Sequence, residues 1–178
     1  MALRDEILST FKKSLEKMAD RGRIRLAEQG HRATGKLINS IEAQITSDDI
    51  DNLIGVILAE DYGLIVDSGV PAGRIPFTPG SGAKSSKYIQ ALIDWIDIIR
   101  PGLADNERKS FAFAIAHTHK REGMPTRASS RFSKDGTRTN WIESSFESQA
   151  EEIERELRIL RIINASFERS IDAANRGR

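Results

Sequence analysis

The chain has 178 residues, of which 39% are hydrophobic and 30% are charged, a length and composition typical of a single soluble globular domain. Its 27 Lys and Arg residues balance 26 Asp and Glu residues, so the net charge of +1 excludes a polycation or a polyanion. The chain has no cysteine, which excludes disulfide frameworks, thiol nucleophiles and Cys-based zinc sites. The longest apolar run, from Leu53 to Ala59, is far shorter than the ~18–20 residues of a membrane span, and the charged N-terminus is no secretory signal. We therefore expect an intracellular protein without membrane contact.

Charge is distributed unevenly along the chain. Residues 42–61 hold six acidic and no basic residues, residues 69–87 hold three basic and no acidic ones, and residues 120–138 hold six basic and two acidic ones. Blocks of one sign suit surfaces that meet surfaces of the opposite sign. We therefore predict that two basic loops and an acidic hairpin carry interface residues. These residues are Arg74, Lys84, Lys87, Arg127, Arg131, Lys134, Arg138, Asp48, Asp49 and Asp51.

The predicted elements, in chain order, form an α+β fold. Apolar residues at steps of three and four predict an N-terminal helix over residues 1–29, and alternating apolar and polar residues predict an antiparallel β-hairpin over 41–60. Residues 70–87 are rich in Gly and Pro and are predicted to be loop. Within them, residues 74–77 are a candidate edge strand, because Pro is tolerated at the edge of a sheet. A helical pair is predicted over 88–122.

A basic loop and a long helix are predicted to close the chain. Residues 123–139, called the basic segment below, are polar and without periodicity, which favours a mobile loop. From Trp141 to about residue 174, apolar residues alternate four- and three-residue steps, with Asn164 as one polar position of this heptad seam. The seam fits a coiled coil or a helix along its own domain, and both interpretations stay open. Two strands alone are marginally stable, so we expect the long N- and C-terminal helices to pack on the small sheet within one domain, residues 1–178, into which the helical pair is inserted.

One triplet has the chemistry of a hydrolase. Asp67-Ser68-Gly69 matches the active-site triplet of aspartic proteases, in which two carboxylates from two copies share a proton. A homodimer would supply the pair. The triplet is short, however, and the predicted long helices do not suit a protease β-barrel. A dimeric hydrolase that uses Asp67 is therefore the weaker alternative.

Two further motifs fall short of a binding site. Residues 80–86 resemble a phosphate-binding loop, but Ala83 stands where that loop needs a glycine before its lysine. His117 and His119 are two residues apart, so a helix cannot present both to one metal ion. We expect no cofactor, no metal site and no catalytic residue.

A longer pattern covers residues 31–77. It consists of Thr34-Gly35-Lys36-Leu37 and Ser40-Ile41 opening a strand, then Tyr62-Gly63, Val66-Asp67 and Gly69, then Ile75-Pro76-Phe77. This pattern resembles the small neck proteins of tailed bacteriophages, known as tail completion, tail terminator or head–tail joining proteins and including the virion morphogenesis proteins. The positions that carry the resemblance are Thr34, Gly35, Leu37, Ser40, Ile41, Tyr62, Asp67, Gly69, Pro76 and Phe77. The family often has Glu where this chain has Asp67, and its shortest members lack the helical pair and the basic segment.

The resemblance implies structural work rather than enzymatic activity. It implies a virion protein of the neck or tail, assembled in the host cytoplasm, that forms a ring of its own copies, commonly a hexamer or a dodecamer. The implied partners are the connector or portal-side proteins above and the tail tube or tail terminator proteins below, with non-specific contact between lumen cations and DNA. Taken alone, the basic loops leave a general nucleic-acid-binding protein as an alternative.

Overall fold

The computed structural model describes residues 2–49, 52–80 and 86–146, together with 151, 153–155, 157–159 and 165. Its helices and strands are, in chain order, α1 (Ala2–Glu28), α2 (Lys36–Ser40), β1 (Glu42–Asp49), β2 (Asn52–Leu58), α3 (Gly63–Ser68), α4 (Lys87–Ile99) and α5 (Asp105–Glu122), with 3₁₀ helices at Ala72–Arg74 and Arg127–Phe132. This combination of helices with an antiparallel hairpin confirms the predicted α+β class. The chain divides into two compact units, one within residues 1–24, 40–59 and 142–178 and the other within 25–39 and 60–141.

The first unit contains most of α1 and the hairpin. Residues Ile7, Phe11, Leu15 and Ala19 of α1 are buried, at the four-residue spacing that places side chains on one helix face. The register of β1 and β2 runs from Glu42 opposite Leu58 to Asp49 opposite Asn52, with a bulge between Ile45 and Ser47. A Cβ at Gly55 of β2 would lie 2.3 Å from the end of the Leu15 side chain, which would then have to shift. Helix α1 therefore passes close to the backbone of β2.

The second unit has its core between α4 and α5. Its buried residues are Ile75, Phe77, Ile89, Ile96, Ala112 and Ala116. The two small alanines of α5 are fully buried, which allows close approach of the neighbouring side chains. The predicted helical pair is confirmed, although Phe111–Ala116 alternates like a strand in sequence.

The prediction of an edge strand at residues 74–77 is wrong. Arg74 ends a 3₁₀ helix, and the only isolated bridge in this part of the described structure pairs Val70 with Met124. Ile75 and Phe77 alternate because both point into the α4–α5 core, where they are 2% and 5% exposed. Their two-residue spacing thus places both side chains in the core and does not reflect hydrogen bonding to a neighbouring strand.

The C-terminal helix begins at Trp141, as predicted, and residues 141–146 are helical. Within the first unit, the Phe146 ring lies 3.0 Å from the position that a Cβ at Gly22 would take. Most of the heptad seam, including Asn164, lies outside the described residues. Its coiled-coil interpretation therefore stays a prediction.

Candidate interaction surfaces

The basic segment is held against the C-terminal end of α1 within the second unit. The Lys134 amide donates to the Glu28 carbonyl at 2.8 Å, and the Lys134 ammonium lies 2.9 Å from the Glu28 carboxylate. Arg25 pairs with Asp135 at 2.6 Å. Hydrogen bonds from the Thr137 amide and from the Arg25 side chain hold the pKa of Asp135 well below its usual range. A helix leaves its last carbonyls without intrahelical partners, and the Glu28 carbonyl finds its partner in this segment.

Buried polar side chains continue the same contact. Gln29 is fully buried, and its side-chain amide donates to the Thr139 carbonyl at 2.7 Å. The Nε2 atom of His31 lies 3.1 Å from the Arg138 carbonyl. Burial lowers the pKa of His31, and the nearby Arg138 charge lowers it further. The expectation of a mobile loop is therefore wrong for these residues, because polar groups far apart in sequence hold the segment in place.

Arg138 is part of the internal structure of this segment. Its side chain is half-buried, its guanidinium lies 6.0 Å from the centre of the Phe132 ring, and burial lowers its pKa. Arg131 lies over the same ring at 4.8 Å and is exposed. Of the interface residues predicted here, Arg127 and Arg131 are exposed, Lys134 is exposed but paired with Glu28, and Arg138 is partly covered.

The other predicted interface residues are scattered. Arg74 ends the first 3₁₀ helix and Lys87 begins α4, and both are exposed. Asp49, at the end of β1, is exposed as well. Lys84, Asp51 and the side chain of Asp48 lie outside the described part of the chain. Pairing of the acidic hairpin with the basic loops of another copy stays a prediction.

The first part of the sequence pattern over residues 31–77 forms a turn and a short helix. The Thr34 hydroxyl accepts a hydrogen bond from the Lys36 amide at 3.3 Å, and Gly35 has a φ of 68°, in the left-handed region. Leu37 and Ile41 are buried, 4% and 1% exposed. The sequence pattern predicts that residues 34–41 lead directly into a strand. The structure instead places α2 (Lys36–Ser40) before the strand.

The second part of the pattern surrounds α3. The Trp141 indole donates to the Gly63 carbonyl at 3.0 Å, and the Asn140 amide donates to the Asp67 carbonyl at 2.8 Å. Gly69 ends the helix with a φ of 72°, and a Cβ there would lie 2.5 Å from the Met124 carbonyl oxygen. Helix α3 is therefore held by Asn140 and Trp141, which follow the basic segment, and its C-terminal glycine lies against Met124 of the segment itself.

The residues considered for catalysis or metal binding are Asp67, His117 and His119. Asp67 lies in the last turn of α3, half-buried. The His119 Nδ1 shares a 2.7 Å hydrogen bond with the Tyr88 hydroxyl, whereas His117 packs edge-on against Phe77 with ring centres 4.9 Å apart. Among the described residues, no group of three or more His, Asp or Glu side chains is placed to hold a metal ion.

Sequence reasoning did not find several residues of these contacts. Gln29 and Trp141 are each nearly or fully buried and hydrogen-bonded to a distant carbonyl. A signal existed for Gln29, because it directly precedes the helix-stop glycine Gly30, but nothing in the sequence indicates its partner. Exposed apolar residues were also missed, among them Leu64 and Ile65 of α3, which are 68% and 55% exposed.

Comparison with models of protein families, with curated proteins and with solved structures found no match to this chain. None of the helices that the structure describes combines the length and the apolar character needed to cross a bilayer.

Proposed function

We propose that this chain is a structural virion protein of a tailed phage that forms a ring at the head–tail junction and connects the head connector to the tail. The observation that supports the proposal most directly is the backbone conformation and burial of the residues in the pattern over 31–77. Gly35 and Gly69 adopt left-handed backbone conformations, and Leu37, Ile41 and Phe77 are buried. Glycines with positive φ and buried apolar residues are what a structural pattern of this kind requires, and these residues meet that requirement.

The proposed ring needs a heterologous contact, in which two different patches of one subunit meet and the rotation closes. In our proposal one patch is the 3₁₀ helix Arg127–Phe132, which presents Arg127 and Arg131, and the other is the acidic hairpin of the next copy. The basic segment is already held by α1, so binding would cost little ordering entropy. The ring is proposed to contact connector or portal-side proteins on one side and tail proteins on the other.

The test measures ring formation by the full chain. Mass is determined by light scattering and shape by negative-stain microscopy, for the chain alone and mixed with the products of its neighbouring genes. We expect the double variant Arg127→Glu/Arg131→Glu to lose the ring. The matched control is Lys12→Glu/Lys13→Glu, which changes the charge equally at two exposed positions of α1. A wild-type chain that stays monomeric alone and with these partners contradicts the proposal, and equal behaviour of the two variants contradicts the assigned patch.

One observation favours a second function, binding to nucleic acid without sequence specificity. Phe132 is 58% exposed and lies beside the exposed Arg131, and an aromatic ring next to a guanidinium suits contact with an unpaired base and its phosphate. Filter binding at two salt concentrations tests it, because release of counterions makes the affinity fall steeply with salt. A flat salt dependence excludes this function.

A further inference from the structure

Strand β2 has the sequence of a central strand but lies at the edge of the described sheet. The hairpin has only two strands, and β2 (Asn52–Leu58) contains no charged residue. Strands buried on both faces read as nearly continuous apolar runs, whereas strands with one wet face alternate apolar and polar residues. Strand β1 alternates in this way and β2 does not.

The two strands therefore differ on the face of the sheet that points away from α1. On β1 this face carries Glu42, Gln44 and Thr46, and on β2 it carries Ile54, Val56 and Leu58. Ile54 and Leu58 are each 44% exposed. The result is an exposed apolar stripe along β2, which lies beside an unpaired edge.

The hydrogen bonds show which backbone groups this edge presents. The Thr46 hydroxyl donates to the Ile54 carbonyl at 3.3 Å, so the backbone of Ile54 faces β1. Because backbone groups alternate in direction along a strand, those of Leu53, Gly55 and Ile57 face the opposite edge. Apart from the hairpin's own ladder, no backbone hydrogen bond between described residues reaches them.

Among the described residues, this edge also lacks the usual protection against pairing. Proteins shield edge strands with charged side chains, prolines or bulges. Strand β2 has neither a charge nor a proline, and the bulge of the hairpin lies in β1, between Ile45 and Ser47. An unshielded edge beside an apolar stripe is a surface built for another strand.

We propose that β2 pairs with β2 of a second copy across a twofold axis, which produces a four-stranded antiparallel sheet with the two β2 strands at its centre. Self-pairing places a strand opposite its own sequence, so a charge near the axis would lie close to its own copy. Strand β2 avoids this because it is uncharged. An axis at Val56 sets Ile54 opposite Leu58 of the second copy, whereas an axis at Gly55 would set Leu58 opposite the polar Asn52. The apolar match selects Val56.

This contact goes beyond the proposed ring and does not depend on it. A twofold contact uses the same patch on both subunits and closes after two copies, whereas ring contacts use two different patches. It therefore joins subunits in pairs, one from each of two rings.

Single cysteines give a direct test, because the natural chain has none. With the axis at Val56, the Val56→Cys variant meets itself at a non-hydrogen-bonded pair, where the Cβ atoms are about 4.5–5.5 Å apart and a disulfide can form with a small adjustment. We expect this variant to form disulfide-linked dimers under mild oxidation. Ile54→Cys and Leu58→Cys should each fail alone, because their own copies lie about 13 Å apart at about 3.3 Å per residue. Mixed together, they should cross-link.

Gln44→Cys, on the same face of β1, is the negative control. Absence of a Val56→Cys dimer overturns the proposal, and so does a stronger cross-link between Val56→Cys and Gln44→Cys, which would indicate pairing of β2 with β1 of the next copy.

A second measurement needs no cysteine. Light scattering of the isolated full chain should show dimers, and Ile54→Lys should weaken them by at least about tenfold, because two lysines then enter an apolar contact. Gln44→Lys should leave the dimer intact. Circular dichroism checks that both variants stay folded, which their exposed positions favour. An isolated chain that is monomeric at every concentration overturns the twofold contact, while the proposed ring would fail only if the mixture with its neck partners also stayed monomeric.

Discussion

Two glycines with the same backbone conformation allow the contact between α1 and the basic segment to be measured. Gly30 has a φ of 80° and Gly136 has a φ of 81°. A Cβ at Gly30 would lie 2.4 Å from the Phe132 carbonyl oxygen, whereas a Cβ at Gly136 would meet nothing within 4 Å. Gly30→Ala and Gly136→Ala therefore share the cost of a left-handed alanine, about 1–2 kcal/mol. Only Gly30→Ala adds a collision with backbone.

The magnitude of that collision follows from what has to move. The Phe132 oxygen cannot rotate away as a side-chain end can, so the 3₁₀ helix has to shift, and such overpacking costs about 1–3 kcal/mol. We expect Gly30→Ala to lower the free energy of unfolding by about 2–5 kcal/mol in total, against about 1–2 kcal/mol for Gly136→Ala. Urea unfolding followed by circular dichroism measures both.

If the basic segment detaches from α1 in Gly30→Ala, the loss in the global free energy of unfolding will be smaller, and a local measurement is needed. Hydrogen exchange of the Lys134 amide, which donates to the Glu28 carbonyl, should then be faster in Gly30→Ala and unchanged in Gly136→Ala. Equal loss of stability in the two variants, with equal protection of this amide, would refute the assigned contact.

Two further predictions concern buried groups of the second unit. Trp141→Phe removes the indole donor to the Gly63 carbonyl, so we expect the free energy of unfolding in urea to fall by about 1–3 kcal/mol. Trp95→Phe, at a 40% exposed position, is the control and should change it by less than about 0.5 kcal/mol. Equal effects of the two substitutions would contradict the buried hydrogen bond. Burial lowers the pKa of His31 below its ordinary 6.5, so the stability that comes from its neutral ring is present above about pH 6.5 and is lost as the pH falls through the lower folded pKa. His31→Gln should therefore lose less stability between pH 8 and pH 5 than the natural chain, and identical pH profiles would count against this effect.

Local periodicity was sufficient to predict the long helices and the hairpin, although not the short helices α2 and α3. The steps of three and four in α1, the alternation of the hairpin and the apolar face of α4 each depend on residues within one element. Even α5, in which Phe and Ala alternate like a strand, was predicted correctly because its flanking residues keep a helical spacing.

The contacts of the basic segment could not be predicted in this way. Its partners are polar and lie more than a hundred residues away, as Gln29 and Thr139 do. A polar residue with a distant carbonyl partner has the same local sequence as one in water. The edge strand predicted at residues 74–77 failed for the same reason, since the local sequence does not reveal whether Ile75 and Phe77 face a sheet or two helices.

The internal use of charge limits what electrostatics can contribute to assembly. Within the basic segment, Lys134 forms an ion pair with Glu28 and Arg138 is partly buried. Arg127 and Arg131 are therefore the exposed cations of the segment that are neither paired with α1 nor partly buried. Exposed ion pairs contribute about 0–1 kcal/mol each, so two of them supply about 2 kcal/mol at most, whereas a micromolar contact requires about 8 kcal/mol. The charged blocks can therefore orient neighbouring copies and accelerate their encounter, but burial of apolar surface has to hold a ring together. With β2 assigned to the twofold contact, the described surfaces with the chemistry to provide it include α3, at Leu64 and Ile65, and α4, at Ile98 and Ile99.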